Sequence, residues 1–97
     1  MERREKMVFE KMFEKGTIGK MTLRNRIVLP PMIRNFATKE GEVTERYIAH
    51  CANIAKGGVG MMIIEGSMIH PNGRGFSNAI GVFDDRFIPG LRKMATS

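Results

Sequence analysis

Two apolar runs constrain what this chain can fold into. "RIVLPP", residues 26–31, and "VGMMIIEG", residues 59–66, hold no polar residue at alternate positions within their apolar centres. A strand with one wet face alternates; one without polar alternation belongs in a parallel sheet covered by helices. Between the runs lies a helix pattern. Thr44 offers a capping hydroxyl and Glu45 sits where the helix dipole is positive. Tyr47, Ile48, Cys51, Ala52, Ile54 and Ala55 then form one apolar stripe. Gly57-Gly58 closes it with the residue type that a left-handed C-cap favours. Strand, crossover helix and strand make a βαβ unit, the building block of α/β folds.

The flanks extend this frame. "GTIGKMTLRNR" reads as a small β-hairpin turning at Gly19-Lys20, and Val8, Phe9, Met12 and Phe13 fit an amphipathic turn or two before it. After the second strand comes a long loop, "SMIHPNGRGFSNAIGVF". Asp84-Asp85 then introduces a second helical stripe of Phe87, Ile88, Leu91, Met94 and Ala95, with Pro89 tolerable only in its first turn. Two parallel strands cannot cover their own edges. The 97 residues are therefore expected to be one N-terminal portion of a larger α/β protein.

Composition narrows the classes. With 42% hydrophobic and 27% charged residues the chain is of ordinary globular type. Its single cysteine, Cys51, cannot form an internal disulfide and reads as a packed core thiol; no Cys/His cluster has zinc spacing, so no metal is expected. The nine methionines read as core filling. The net charge of +6 is concentrated at the start: residues 1–26 carry eight Lys/Arg against four Asp/Glu, and the rest eight against six. Acids interrupt those bases and no aromatic-interleaved RNA motif follows, which favours a solvated N-terminal helix over a nucleic-acid surface. A second reading keeps a non-catalytic remnant or basic interaction module in view. No apolar run approaches the roughly 20 residues of a membrane span, and residues 1–16 lack a signal-peptide pattern, so a cytoplasmic protein without a membrane partner is expected.

In open α/β sheets and barrels, ligands bind at the carboxyl ends of the strands. Here that means Pro31, Met32 and Ile33 after the first strand and Gly66-Ser67 after the second. Proline cannot donate to a ladder, so pairing ends at Pro30-Pro31. The residues beyond can turn N–H groups towards a planar ligand, and Gly66 lets something flat approach its backbone. "GGVG" and "GRG" lack the phosphate-loop patterns, and "KGGVG" precedes a strand instead of opening a helix. Arg26, Arg34 and Arg74 are candidates for an anion but read first as solvated surface. His70, within "IHPNGRG", reads as turn chemistry, and His50 as a surface histidine. Glu65, ending a buried strand, needs a backbone or arginine partner.

Together, "KMTLRNRIVLPPM", "EGEVTERYIAHCANIAKGGVGMMIIEGSMIHPNGRG" and "FDDRFIPGLRKM" resemble the opening of the old yellow enzyme family, the NADH:flavin oxidoreductases, over about residues 13–94. The resemblance implies the N-terminal part of a (β/α)8 TIM barrel, holding about two of its eight strands behind the hairpin. It implies FMN as cofactor, NAD(P)H as hydride donor and a small enoyl-type substrate, with reduction of activated alkenes as the reaction. Larger relatives, similar to dienoyl-CoA and enoate reductases, add an iron–sulfur cluster and a second flavin domain in regions outside this chain. By the same resemblance the flavin ring lies against Pro31, Met32 and Ile33, with Gly66 beside it. Ile33 stands where relatives often carry Thr or Cys. The family's pyrimidine-binding glutamine, substrate-anchoring pair, proton donor and phosphate-binding groups come from later strands, so the isolated chain is expected to be inactive.

Overall fold

In a computed structural model of the chain, residues 8–97 are described. The short strands β1 (Gly16–Ile18) and β2 (Met21–Leu23) pair antiparallel, with Thr17 opposite Thr22, around the turn at Gly19-Lys20. Next, β3 (Val28–Leu29) runs into the two prolines, and α1 (Glu45–Lys56) leads back to β4 (Met61–Met62). β3 and β4 pair parallel, Val28 opposite Met61 and Leu29 opposite Met62, so residues 28–62 form the expected βαβ unit. The ladder continues past both strands: Gly60 N–H donates to the Ile27 carbonyl at 2.9 Å, and Ile63 N–H to that of Leu29 at 3.1 Å.

Local chemistry sets the ends of α1. Thr44 Oγ1 accepts from the Tyr47 amide at 3.2 Å and donates to the Phe36 carbonyl, which caps the helix and fastens the preceding loop to it. At the other end Gly58 turns at φ 105°, a left-handed conformation that only glycine adopts without strain. Lys93 of α2 (Ile88–Thr96) reaches Glu45 at the start of α1. Pro89 lies in the first turn of α2, behind a single 3₁₀ turn capped by Asp84 Oδ1 on the Arg86 amide at 2.9 Å.

The buried centre is Ala37, Tyr47, Cys51 and Ile80, with Phe36, Val43, Met62, Leu91 and Met94 packed around it. Ile80 comes from the long loop, which is more structured than its composition suggests. Met68 N–H donates to the Ile80 carbonyl at 2.7 Å, Val82 N–H to that of Met68 at 2.9 Å, and Gly81 N–H to that of Gly41 at 2.8 Å. These bonds fold the loop back beneath α1 and seat Ile80 with no exposed surface.

Several sequence expectations need correction. The strands are not covered on both faces: Leu29, Met62 and Ile64 turn towards α1, but Val28 is 39% and Ile63 43% exposed. The apolar stripe of α1 is narrower than its sequence implies. Only Tyr47 and Cys51 are buried, and Ala55 is exposed, because the helix rests on just two short strands and one neighbouring helix. Methionine fills the core at Met68 and partly at Met62 and Met94, whereas Met12, Met21 and Met32 are exposed. At the start, Glu10–Phe13 form one 3₁₀ turn where a turn or two was expected, but Val8, Phe9, Met12 and Phe13 are all exposed, so it has no packed face; residues 1–7 of the expected solvated helix lie outside the described residues. Among the described residues no helix is long and apolar enough to cross a membrane.

Candidate functional site

The two ends of the β3–β4 pair are built differently. At the amino end Arg24 donates to the Ala55 carbonyl at 2.8 Å and to the Val59 carbonyl at 3.2 Å, placing a cation on the carbonyls that end α1. Asn25 donates to the Gly58 carbonyl at 2.6 Å and accepts from Ile27 N–H at 3.0 Å. Gly60 fits against this clip so closely that a Cβ there would stand 2.3 Å from the Asn25 carbonyl oxygen. Arg24 and Asn25 carry no functional signal in sequence; only the close approach at a glycine opposite a polar pair could have flagged them.

At the carboxyl end the chain opens into a shelf. Pro30 and Pro31 stop the ladder, and Met32 and Ile33 follow with 42% and 38% exposure. Gly66, after β4, stands beside them: a Cβ on it would meet only Ile33 Cδ1, at 3.9 Å. Thus the four residues singled out in sequence, Pro31, Met32, Ile33 and Gly66, come together at one corner, on two neighbouring strand ends. Among the described residues no carbonyl accepts from Met32 or Ile33 N–H. The result is an exposed apolar corner with unused donors, open on the side that Gly66 leaves bare.

Two ties hold the shelf. Glu65, 3% exposed, accepts from Arg34 N–H through Oε1 at 3.1 Å, which is the backbone partner its burial demands. Its Oε2 is buried without a partner. Asn35 sits at φ 65°, which asparagine tolerates better than most residues, and its Oδ1 accepts from the Asn78 amide at 2.7 Å. Asn78 in turn donates to the Ala37 carbonyl at 2.8 Å. Neither asparagine stood out in sequence, because each reads as loop punctuation until a partner some 40 residues away is known.

Behind the shelf, Tyr47 and Cys51 of α1 share with Glu65 the wall of a cavity of about 20 Å³. Burial first, and the nearby Glu65 carboxylate second, push the Tyr47 phenol and the Cys51 thiol above their ordinary values, so both are held neutral. Cys51 is thus the packed thiol expected, not a nucleophile. His50 departs from expectation: it is half-buried, its ring edge-on to Phe36 with centroids 5.5 Å apart.

The remaining candidates are in local use. Arg26 donates to the Lys15 carbonyl at 3.3 Å and lies 3.7 Å from Glu14. Arg74 donates to the Ser77 carbonyl at 2.8 Å, and His70 Nδ1 accepts from the Asn72 amide at 3.1 Å, as turn chemistry requires. The Arg34 side chain is exposed, and it is the backbone of Arg34 that engages Glu65. Among the described residues no three His, Cys, Asp or Glu side chains gather to hold a metal ion.

The chain is 36% identical over 88 residues to an NADH oxidase of Thermoanaerobacter brockii, spanning 90% of this chain and 14% of that protein. It is 39% identical over 85 residues to an NADPH dehydrogenase of Bacillus subtilis, covering 87% of this chain and 25% of that one. Among solved structures it superposes on a 2-naphthoyl-CoA reductase in complex with 2-naphthoyl-CoA, at a TM-score of 0.88 and 29% identity, over 91% of this chain and 14% of that one. An old yellow enzyme from Trypanosoma cruzi matches at 0.78 and 30% identity, over 93% of this chain and 24% of that one. These neighbours are TIM barrels, and the present chain is a small α/β fragment that spans a quarter or less of their length. The profile of the NADH:flavin oxidoreductase / NADH oxidase family matches residues 11–97, and the chain belongs to that family.

Proposed function

We propose that the chain supplies the opening of an FMN-binding (β/α)8 barrel, two of its eight strands, and that its shelf is the first part of the flavin site. The observation that carries this reading is the corner itself: Pro31, Met32 and Ile33 beside bare Gly66, at the carboxyl ends of adjacent parallel strands. A planar, amphipathic ring suits it. The exposed side chains of Met32 and Ile33 offer apolar contact, their free N–H groups offer donors to ring-edge acceptors, and Gly66 admits close approach. Membership of the flavin oxidoreductase family supports the same ligand.

The chemistry supplied by bound FMN in the complete protein is hydride transfer from NAD(P)H to an activated alkene. This chain's own part is narrower. Pro30 and Pro31 fix the direction in which the backbone leaves β3, Met32 and Ile33 exclude water from one side of the ring, and the bonds to Glu65 and Asn78 hold the backbone in place. By the family resemblance the proton donor is expected from later strands, and Tyr47 and Cys51 of this chain are buried behind the shelf. The 97-residue chain is therefore proposed to bind without turnover. The basic-module reading has less support among the described residues, where Arg24, Arg26, Arg74, Arg86 and Lys93 are engaged within the chain.

Titration of FMN with the purified chain, followed by quenching of flavin fluorescence, tests the site. Saturable quenching that Gly66→Val weakens supports it. Quenching unaffected by Gly66→Val, or none at all, removes the flavin reading of this chain.

A further inference from the structure

Glu65 is the one buried charged side chain among the described residues, and its Oε1 accepts from a shelf amide. Burying a carboxylate is costly unless its oxygens are matched by donors. Among the described residues no guanidinium or ammonium provides the match. Oε1 reaches across from beyond β4 to Arg34 N–H, in the loop that leaves β3; the Tyr47 phenol stands nearby, but among the described residues no donor lies within hydrogen-bond distance of Oε2. Glu65 also lines the cavity of about 20 Å³ with Tyr47 and Cys51, a space that fits one water molecule. The residue immediately after Glu65 is Gly66, and the residue immediately before Arg34 is Ile33. The side chain therefore spans the gap between the two halves of the shelf, where a Cβ added to Gly66 would stand 3.9 Å from Ile33 Cδ1.

We infer that Glu65 is a positioning residue for the ligand-facing backbone: its carboxylate acts as a strut of fixed length that holds Arg34 N–H, and with it Met32 and Ile33, at the right distance from Gly66. This rests on the flavin reading for what the shelf binds, but the strut itself is a property of the chain alone. Reach and charge can be separated. Glu65→Gln keeps the reach and an acceptor oxygen and loses the charge. Glu65→Asp keeps the charge and is one methylene short. Glu65→Ala removes both.

The test is amide hydrogen exchange of Arg34 by NMR on the full 97-residue chain and these three variants, followed by FMN titration of each. The amide of Ile48 in α1, bonded to the Thr44 carbonyl at 3.0 Å, serves as the reference for intact folding. The expected result is Arg34 exchange in Glu65→Gln within about threefold of the unaltered chain, and about tenfold faster or more in Glu65→Asp and Glu65→Ala. Ile48 should stay protected in Glu65→Gln and Glu65→Asp, and the FMN dissociation constant should rise in the same order as Arg34 exchange. An Asp variant as protected as the Gln variant, or an unprotected Arg34 in the unaltered chain, overturns the strut. Exchange in the expected order with one FMN affinity for all four chains overturns the positioning role and leaves the flavin reading standing. If the unaltered chain takes up no FMN, the flavin reading of this chain falls, and the Arg34 exchange order upholds or overturns the strut by itself.

Discussion

One pair of strands ends in two unlike ways. At its amino end, Arg24, Asn25 and Gly60 form a closed clip, with charge on helix carbonyls, both ends of an amide engaged and two backbones in near contact. At its carboxyl end the backbone leaves N–H groups unused, exposes two large apolar side chains and places a bare glycine beside them. Polar groups that satisfy each other favour folding, whereas apolar surface and spare donors are worth nothing until something occupies them. The amino end is therefore built for stability, while the carboxyl end keeps the surface and donors that the proposed ligand would use, the division that barrel enzymes show between their two faces.

The sharpest way to break this contrast is to put a methyl group on each glycine. Gly60→Ala drives Cβ to within 2.3 Å of a backbone oxygen and 2.6 Å of Asn25 Oδ1, neither of which can swing aside. A loss of about 3 kcal/mol is expected from the forced backbone shift, read as a lower urea midpoint. A loss under about 0.5 kcal/mol would mean that the clip is slack and that the two ends differ little.

The second prediction concerns what lies between the ends. Cys51 and Tyr47 have raised pKa values in the folded chain, so unfolding lets them ionise sooner. Below their ordinary values of 9.0 and 10.0 both are protonated in either state and the stabilisation is complete. As pH rises past 9.0, the unfolded chain holds fewer protons than the folded one, and stability falls. Urea midpoints at pH 7.5 and 9.5 should therefore diverge, and the gap should narrow in Cys51→Ala. An unchanged gap would place the alkaline sensitivity elsewhere than beside Glu65.

These two regions were not equally readable from sequence. The βαβ order was legible because its signals are local and mutually consistent: apolar runs without alternation, a threonine cap, a Gly-Gly stop. The meeting of Pro31, Met32, Ile33 and Gly66 at one corner was legible for a related reason, since prolines end a strand wherever they occur and adjacent parallel strands end side by side. The clip was not, because Arg24 and Asn25 act on carbonyls more than 30 residues away and a sequence prints no carbonyls. The burial of Ile80 was missed likewise: the loop around it is rich in Gly, Asn and Ser, and only the bonds through Met68 and Gly41 turn it inward. The two-faced burial expected of the strands failed at Val28 and Ile63, where an apolar pattern states what a face prefers, not what covers it.

A methyl group at Gly66 gives the opposite outcome to Gly60. A Cβ there finds only Ile33 Cδ1 at ordinary contact distance, so Gly66→Ala should change stability by less than about 0.5 kcal/mol. Its effect should fall on FMN affinity instead, with a dissociation constant several-fold higher in fluorescence titration. A stability loss comparable to that of Gly60→Ala would show that the carboxyl end is packed after all, and the contrast would collapse.

The smallest expected effect is the most specific. Ile33 contributes apolar surface and no side-chain donor, so its side chain cannot tune a bound ring by hydrogen bonding. Ile33→Thr shortens a side chain that is 38% exposed and adds a hydroxyl to it. A donor placed there favours the more electron-rich, reduced ring. One such bond, worth about 1 kcal/mol, raises a two-electron midpoint potential by roughly 20 mV. Redox titration of the flavin-loaded protein with and without the substitution measures this directly. A rise of that order with an unchanged urea midpoint would put Ile33 at the ring and confirm that the carboxyl end spends its side chains on the ligand. An unchanged potential would move the ring away from Ile33, leaving Met32 and Gly66 to define the shelf.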